Sequence, residues 1–104
     1  MRTHEYTDSA ETDLAGIVRV TIDTWGADRA TRYIDGLERL TSRLVEHLAP
    51  GTVCEDLDGM PRAFPYQSHI LYCLVEPERL VVLRVLHKRM NPRLHMPTAG
   101  AAAG

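Results

Sequence analysis

The chain has 104 residues, 44% of them hydrophobic and 25% charged, with a formal net charge of −2. This length supports one core burying roughly 60–68% of the unfolded surface and excludes two independently packed domains, while the composition excludes wholesale disorder. Apolar runs stay far below the roughly 20 residues of a membrane span, the longest being Ile70 to Val75. Glu5 stands where a secretion signal would be apolar, so no membrane association and a cytoplasmic location are expected.

Residues 1–7 read as a short opening strand, and Asp8 with Glu11 three positions later reads as a capping box that starts a helix. Ala10, Leu14, Ile17, Val18, Thr21, Ile22 and Trp25 then form one apolar stripe, with Asp13, Arg19 and Asp23 as solvated flanks. Gly26 breaks the run. A second helix from about Ala27 to Leu48 places Ala30, Tyr33, Ile34, Leu37, Leu40, Thr41, Leu44, Val45 and Leu48 on a matching face. Asp28 with Arg32 and Asp35 with Arg39 support its exposed side at i, i+4 spacing, and Ala49-Pro50-Gly51 ends it. A connection this short makes the two helices an antiparallel hairpin.

After a polar connection over 51–60, Arg62–Tyr66 reads as a first meander strand, placed at an edge by Pro61 and Pro65. His69–Val75 and Leu80–His87 follow as stronger strands. The last is apolar on both faces, Leu80, Val82, Arg84 and Leu86 alternating with Val81, Leu83, Val85 and His87, which predicts a central position. Residues 88–96 form a basic tail with apolar anchors, and residues 97–104 a disordered Ala/Gly end, leaving 1–96 as one domain.

The charge is unevenly divided. Residues 1–60 hold six Arg against twelve Asp and Glu, a net −6, whereas 61–104 hold five Arg and Lys88 against Glu76 and Glu78, a net +4. The basic half, which also carries His69, His87 and His95, is the place to expect an anionic partner. The overall negative charge argues against strong non-specific nucleic-acid binding. Cys54 and Cys73, without a CxxC pattern, read as small buried hydrophobes, and no spacing calls for a metal or a cofactor.

Three segments carry a family resemblance. Ala10-Glu11-Thr12-Asp13-Leu14-Ala15-Gly16-Ile17 is similar to an A-x-x-D-L-x-x-I helix start and is followed by Trp25-Gly26, Ala30 and Tyr33; Ser68-His69-Ile70-Leu71-Tyr72 is a weaker match. Val81 to Met90 looks like an apolar strand running into R-[VI]-L-H-x-R-M. In this order, over residues 4–96, they resemble the ParE branch of the ParE/RelE superfamily of bacterial type II toxins. The resemblance implies a two-layer α+β fold: an N-terminal strand, an antiparallel helical hairpin and a three-stranded antiparallel meander. It also implies a toxin that poisons DNA gyrase and is neutralised, in a hetero-oligomeric complex, by a cognate ParD-like antitoxin. RelE-type relatives are instead ribosome-dependent mRNA endoribonucleases.

A ribonuclease needs a base, an acid and cations for the phosphorane. Arg62, Arg84, His87 and Arg89 are the residues for that alternative, but the only Lys is Lys88 and no Tyr follows Tyr72. For a gyrase poison no catalytic residue is expected, and His87, Lys88, Arg89, Met90 and Arg93 are the candidate target-binding set. A third possibility is a relic that only binds its antitoxin and helps regulate their operon. Antitoxin-contacting residues are not legible.

Against these stand structural readings. Trp25 is expected to pack between the helices, with a truncation cost of about 3–5 kcal/mol. Arg84 either pairs with a carboxylate or faces an open surface. His69 is expected to hydrogen-bond within the sheet, and His4 and His47 have no neighbour that recommends them. Met90, Leu94 and Met96 either anchor the tail on the helical hairpin or contact a partner.

Overall fold

A computed structural model describes residues 3–46 and 51–96. The expected end of the second helix at Leu48, His47, the Ala49-Pro50 stop and the 97–104 tail lie outside these residues. The elements are β1 (Thr3–Tyr6), α1 (Asp8–Trp25), α2 (Ala27–Glu46), β2 (Thr52–Val53), β3 (Arg62–Tyr66), β4 (His69–Val75), β5 (Arg79–His87) and a short 3-10 turn at Pro92–Leu94.

Local chemistry places the helices. The start of α1 is capped by Thr7, whose hydroxyl accepts from Ala10 N–H at 3.1 Å, so the cap lies one residue before the expected Asp8. Thr7 wins because its hydroxyl also donates to the Leu83 carbonyl at 2.7 Å, tying the helix start to the sheet. Gly26 joins the helices at φ 96°, ψ 166°, a region essentially reserved for glycine, and its N–H closes α1 on the Ile22 carbonyl. At Gly36 a Cβ would stand 2.1 Å from the Tyr66 hydroxyl, so a side chain there would displace the Tyr66 ring and its 3.0 Å bond to the Tyr33 carbonyl. Neither Asp28–Arg32 nor Asp35–Arg39 closes as an ion pair among the described residues; both pairs are solvated.

The sheet has five strands in the order β1-β5-β4-β3-β2. The opening strand pairs parallel to β5, Thr3 opposite Arg79 through Tyr6 opposite Val82, which makes β5 central, as its two apolar faces required. β2, unread in the polar connection, pairs with Arg62 and Ala63 of β3, so β3 is an open edge only over Phe64–Tyr66, where Pro65 sits. The β4–β5 register shifts at Tyr72/Cys73. This bulge breaks the simple alternation of β5: Leu80, Val82 and Val85 share the helix-covered core with Ala10, Leu37, Leu44, Phe64, Leu71 and Cys73. Leu86 faces the opposite side with Leu57, Tyr72 and Met96. Met96 therefore anchors the tail on the sheet face away from the hairpin, while Leu94 is exposed.

Cys73 is fully buried and its thiol is pushed up to about 12 by desolvation; Cys54 is only partly buried. Trp25 corrects its expected role, being 64% exposed at the hairpin tip with Val20 and Ile22 exposed beside it. Trp25 stacks on the Arg29 guanidinium, 4.7 Å from its ring centre. Trp25→Ala is therefore expected to lower stability by no more than about 1 kcal/mol in urea unfolding. A loss of 3 kcal/mol would show that the tip is packed after all.

Candidate functional site

The candidate residues converge on the C-terminal end of β5. Lys88 N–H bonds to the Ser68 carbonyl at 2.9 Å, which keeps β5 paired to the β3–β4 turn up to its last residue. The chain then reverses: Met90 N–H reaches the His87 carbonyl at 2.9 Å and Arg89 N–H reaches His87 Nδ1 at 3.1 Å. Lys88 and Arg89 are exposed at the apex of this turn. Met90 borders a groove of about 440 Å³ between α1 and β5, lined also by Gly16, Ile17, Val20, Leu86 and His87.

His87 stands opposite His69 on β4, the rings edge to face with centres 5.4 Å apart. His69 Nδ1 lies 2.5 Å from the Tyr33 hydroxyl, so its hydrogen bond goes to helix α2 rather than within the sheet. The Tyr33 hydroxyl also lies 3.4 Å from the Tyr66 carbonyl, so it either donates to Nδ1 or donates to that carbonyl while accepting from Nδ1–H, according to the His69 tautomer. Burial, reinforced by Tyr66, pushes the Tyr33 phenol up to about 12. Burial first, then the neighbouring His87, holds His69 below the ordinary histidine range, against a smaller opposing influence of Asp13.

The sign of the pH effect follows. A histidine that protonates less readily when folded lets the unfolded chain bind more protons, so stability falls as pH drops through about 6.5. The wild-type chain is expected to lose more stability between pH 7.5 and 5.5 than His69→Gln does, measured by urea unfolding at both pH values. Equal losses would place the responsible group elsewhere.

The structure does not assemble the four residues of the ribonuclease alternative. Arg62 opens β3 opposite Cys73, whereas His87 lies opposite His69, four positions along β4 from Cys73. Arg84 pairs with a carboxylate, resolving its two readings: Nε and Nη2 donate to Asp13 Oδ2 and Oδ1, both at 2.8 Å, and this pairing raises the Arg84 pKa. Asp13 is no solvated flank. The His87 Nδ1 lone pair is taken by Arg89 N–H, so the neutral ring presents only its Nε2–H and has no free base. His87 and Arg89 remain together with Lys88.

Three of the six basic residues of the second half are consumed inside the fold. Arg79 pairs with Glu5 and Glu76, Arg84 with Asp13, and Arg93 with Asp56 at 2.5 Å, so basic residues of the second half meet acids of the first. Arg93 is thus turned toward Asp56, whose carboxyl it holds below the usual range. Among the described residues Arg62, Lys88 and Arg89 make no ion pair with a carboxylate. No group of three or more His, Cys, Asp or Glu side chains able to hold a metal occurs among them, and no helix there is long and apolar enough to cross a membrane.

The family described as the ParE toxin of the type II toxin–antitoxin system, parDE, matches residues 5–92. The chain belongs to the ParE toxin family. It is 35% identical over 92 residues to Toxin ParE of Escherichia coli, covering 88% of this chain and 89% of that one. Toxin ParE1 of Caulobacter vibrioides is 29% identical over 96 residues, covering 92% and 99% of the two chains. Toxin ParE1 of Mycobacterium tuberculosis is 32% identical over 84 residues, covering 80% and 86%. In fold, the chain is similar to a solved structure titled a chromosomal ParDE TA system from P. aeruginosa, with TM-score 0.68 at 18% identity, covering 84% of this chain and 95% of that one. As a ParE toxin the chain is one half of a toxin–antitoxin pair. Its α+β fold of a helical hairpin on a mixed sheet is the expected architecture, enlarged by β2 and closed by the parallel β1.

Proposed function

We infer that this ParE-family toxin acts in the cytoplasm by binding DNA gyrase and trapping it on DNA, without catalysing a reaction of its own. The contact surface is the β5 end and tail: His87, Lys88, Arg89, Met90 and Arg93. The observation that carries this reading is that the residues a nuclease would need are spent or apart. Arg84 is held by Asp13, the His87 lone pair by Arg89 N–H, and Arg62 lies toward the other end of β4. What remains at the β5 end is a set of donors and cations beside an apolar groove, suited to binding. A cognate ParD-like antitoxin silences the toxin in a hetero-oligomeric complex. The exposed Val20, Ile22 and Trp25 of the hairpin tip, with the groove beside Met90, offer such a partner apolar surface.

The test is to follow DNA and protein synthesis in parallel during the first minutes after inducing the toxin without antitoxin. DNA synthesis is expected to fall first, with double-strand breaks. An earlier fall in protein synthesis would overturn the gyrase reading in favour of the RelE-like ribonuclease. Co-purification with the product of the neighbouring reading frame tests neutralisation, and failure to associate would remove it.

A further inference from the structure

We propose that Asp13 is a positioning residue for the target-binding tail: through the Arg84 guanidinium it closes residues 84–95 into a fixed loop and so sets where Lys88 and Arg89 are presented. This rests on the reading of the tail as the gyrase-contacting surface. Asp13 sits within α1, yet its carboxylate does three things on β5. Oδ1 and Oδ2 accept the Arg84 fork, and Oδ2 also accepts Val85 N–H at 2.9 Å. β1 ends opposite Val82, so beyond that point β5 has no neighbouring strand on this side. Thr7 on the Leu83 carbonyl and Asp13 on Val85 N–H stand in for the missing strand.

Tying α1 to β5 needs only the Val85 bond. The remaining geometry points to the tail: Arg84 Nη1 donates to the His95 carbonyl at 2.9 Å, eleven residues on. Asp13 and Arg84 are 12% and 22% exposed, so the fork is shielded and its direction is set by Asp13. The other holds on the tail among the described residues are the Lys88 N–H bond to the Ser68 carbonyl, which fixes its start, the buried Met96 at its end, and the exposed Arg93–Asp56 pair, which by its exposure contributes little. Both ends of the 84–95 segment therefore meet at one guanidinium, as in a compact surface loop whose ends are pinned together. The Arg89 and Met90 bonds to His87 shape its apex.

Two variants separate positioning from bulk stability. Asp13→Asn keeps an acceptor for Val85 N–H but removes the charge; Arg84→Lys keeps the charge but cannot fork between Asp13 and the His95 carbonyl. Leu40→Ala, at the helix-covered core and away from the loop, is the stability control. Native-state trypsin cleavage after Lys88, Arg89 and Arg93 reads loop opening without involving gyrase. Both loop variants are expected to raise it about tenfold or more over wild type, while Leu40→Ala leaves it near wild type. The toxin concentration giving half-maximal gyrase-dependent DNA cleavage is expected to rise at least about fivefold in both. Tail cleavage no faster than in Leu40→Ala would overturn the proposal, as would faster cleavage with unchanged gyrase poisoning. If wild-type toxin yields no gyrase-dependent cleavage, the gyrase reading fails, and the trypsin ratios still decide whether Asp13 holds the loop.

Discussion

Replacing Lys88 and Arg89 together by Ala is expected to abolish most of the toxicity while leaving antitoxin association in place. Both side chains stand at the apex of the turn after β5 and make no ion pair with a carboxylate among the described residues, so their removal strands no described buried partner. The fold should therefore survive; surface substitutions of this kind usually stay within about 0.5 kcal/mol. On a target, each charge-assisted contact is worth about 1.5–3 kcal/mol, so losing two weakens engagement by at least about 100-fold. The checks are the toxin concentration for half-maximal gyrase-dependent DNA cleavage and the antitoxin affinity by calorimetry. Undiminished potency would show that the target surface lies elsewhere on the molecule.

The largest expected loss of stability comes from Leu71→Ala. Leu71 is fully buried in the middle of β4, opposite Phe64 on β3 and Val85 on β5, in the core that the helices cover. Truncation removes its transfer free energy and leaves a cavity that strands bonded on both sides cannot easily close, a cost of about 3–5 kcal/mol. Against a typical total of about 5–15 kcal/mol this removes a large share of the stability. Thermal unfolding should fall by at least about 12 °C, and a shift below 5 °C would mean that the core relaxes around the deletion. Trp25, larger and more conspicuous in sequence, carries far less because it lies exposed at the hairpin tip.

Asp13 and Trp25 mark opposite errors of pattern reading. Helical periodicity ranks residues by side of a helix but not by distance along it, so it places Trp25 on the apolar stripe without showing that the end of α1 is left exposed. The same periodicity assigns Asp13 to the flank, because the partner that draws it inward, Arg84, lies 71 residues away. The charge division between the halves was a true signal of a different kind. Half of it recorded acids and bases that meet across the fold, Glu5 with Arg79, Asp13 with Arg84 and Asp56 with Arg93.

What the sequence by itself determined were features governed by near neighbours: two helices broken at Gly26, the strands Arg62–Tyr66 and His69–Val75, and a last strand apolar on both faces and hence central. The ParE resemblance was likewise legible, in the helix start and in the L-H-K-R-M ending. Only the tertiary structure decided which groups are spent and which are free. The parallel pairing of β1, the two-residue β2, the bulge that reassigns Val85 and Leu86, and the Tyr33–His69 and Asp13–Arg84 bonds all join residues distant in sequence. Local periodicity carries no term for such partners, and whether an arginine or histidine is available for chemistry depends on them.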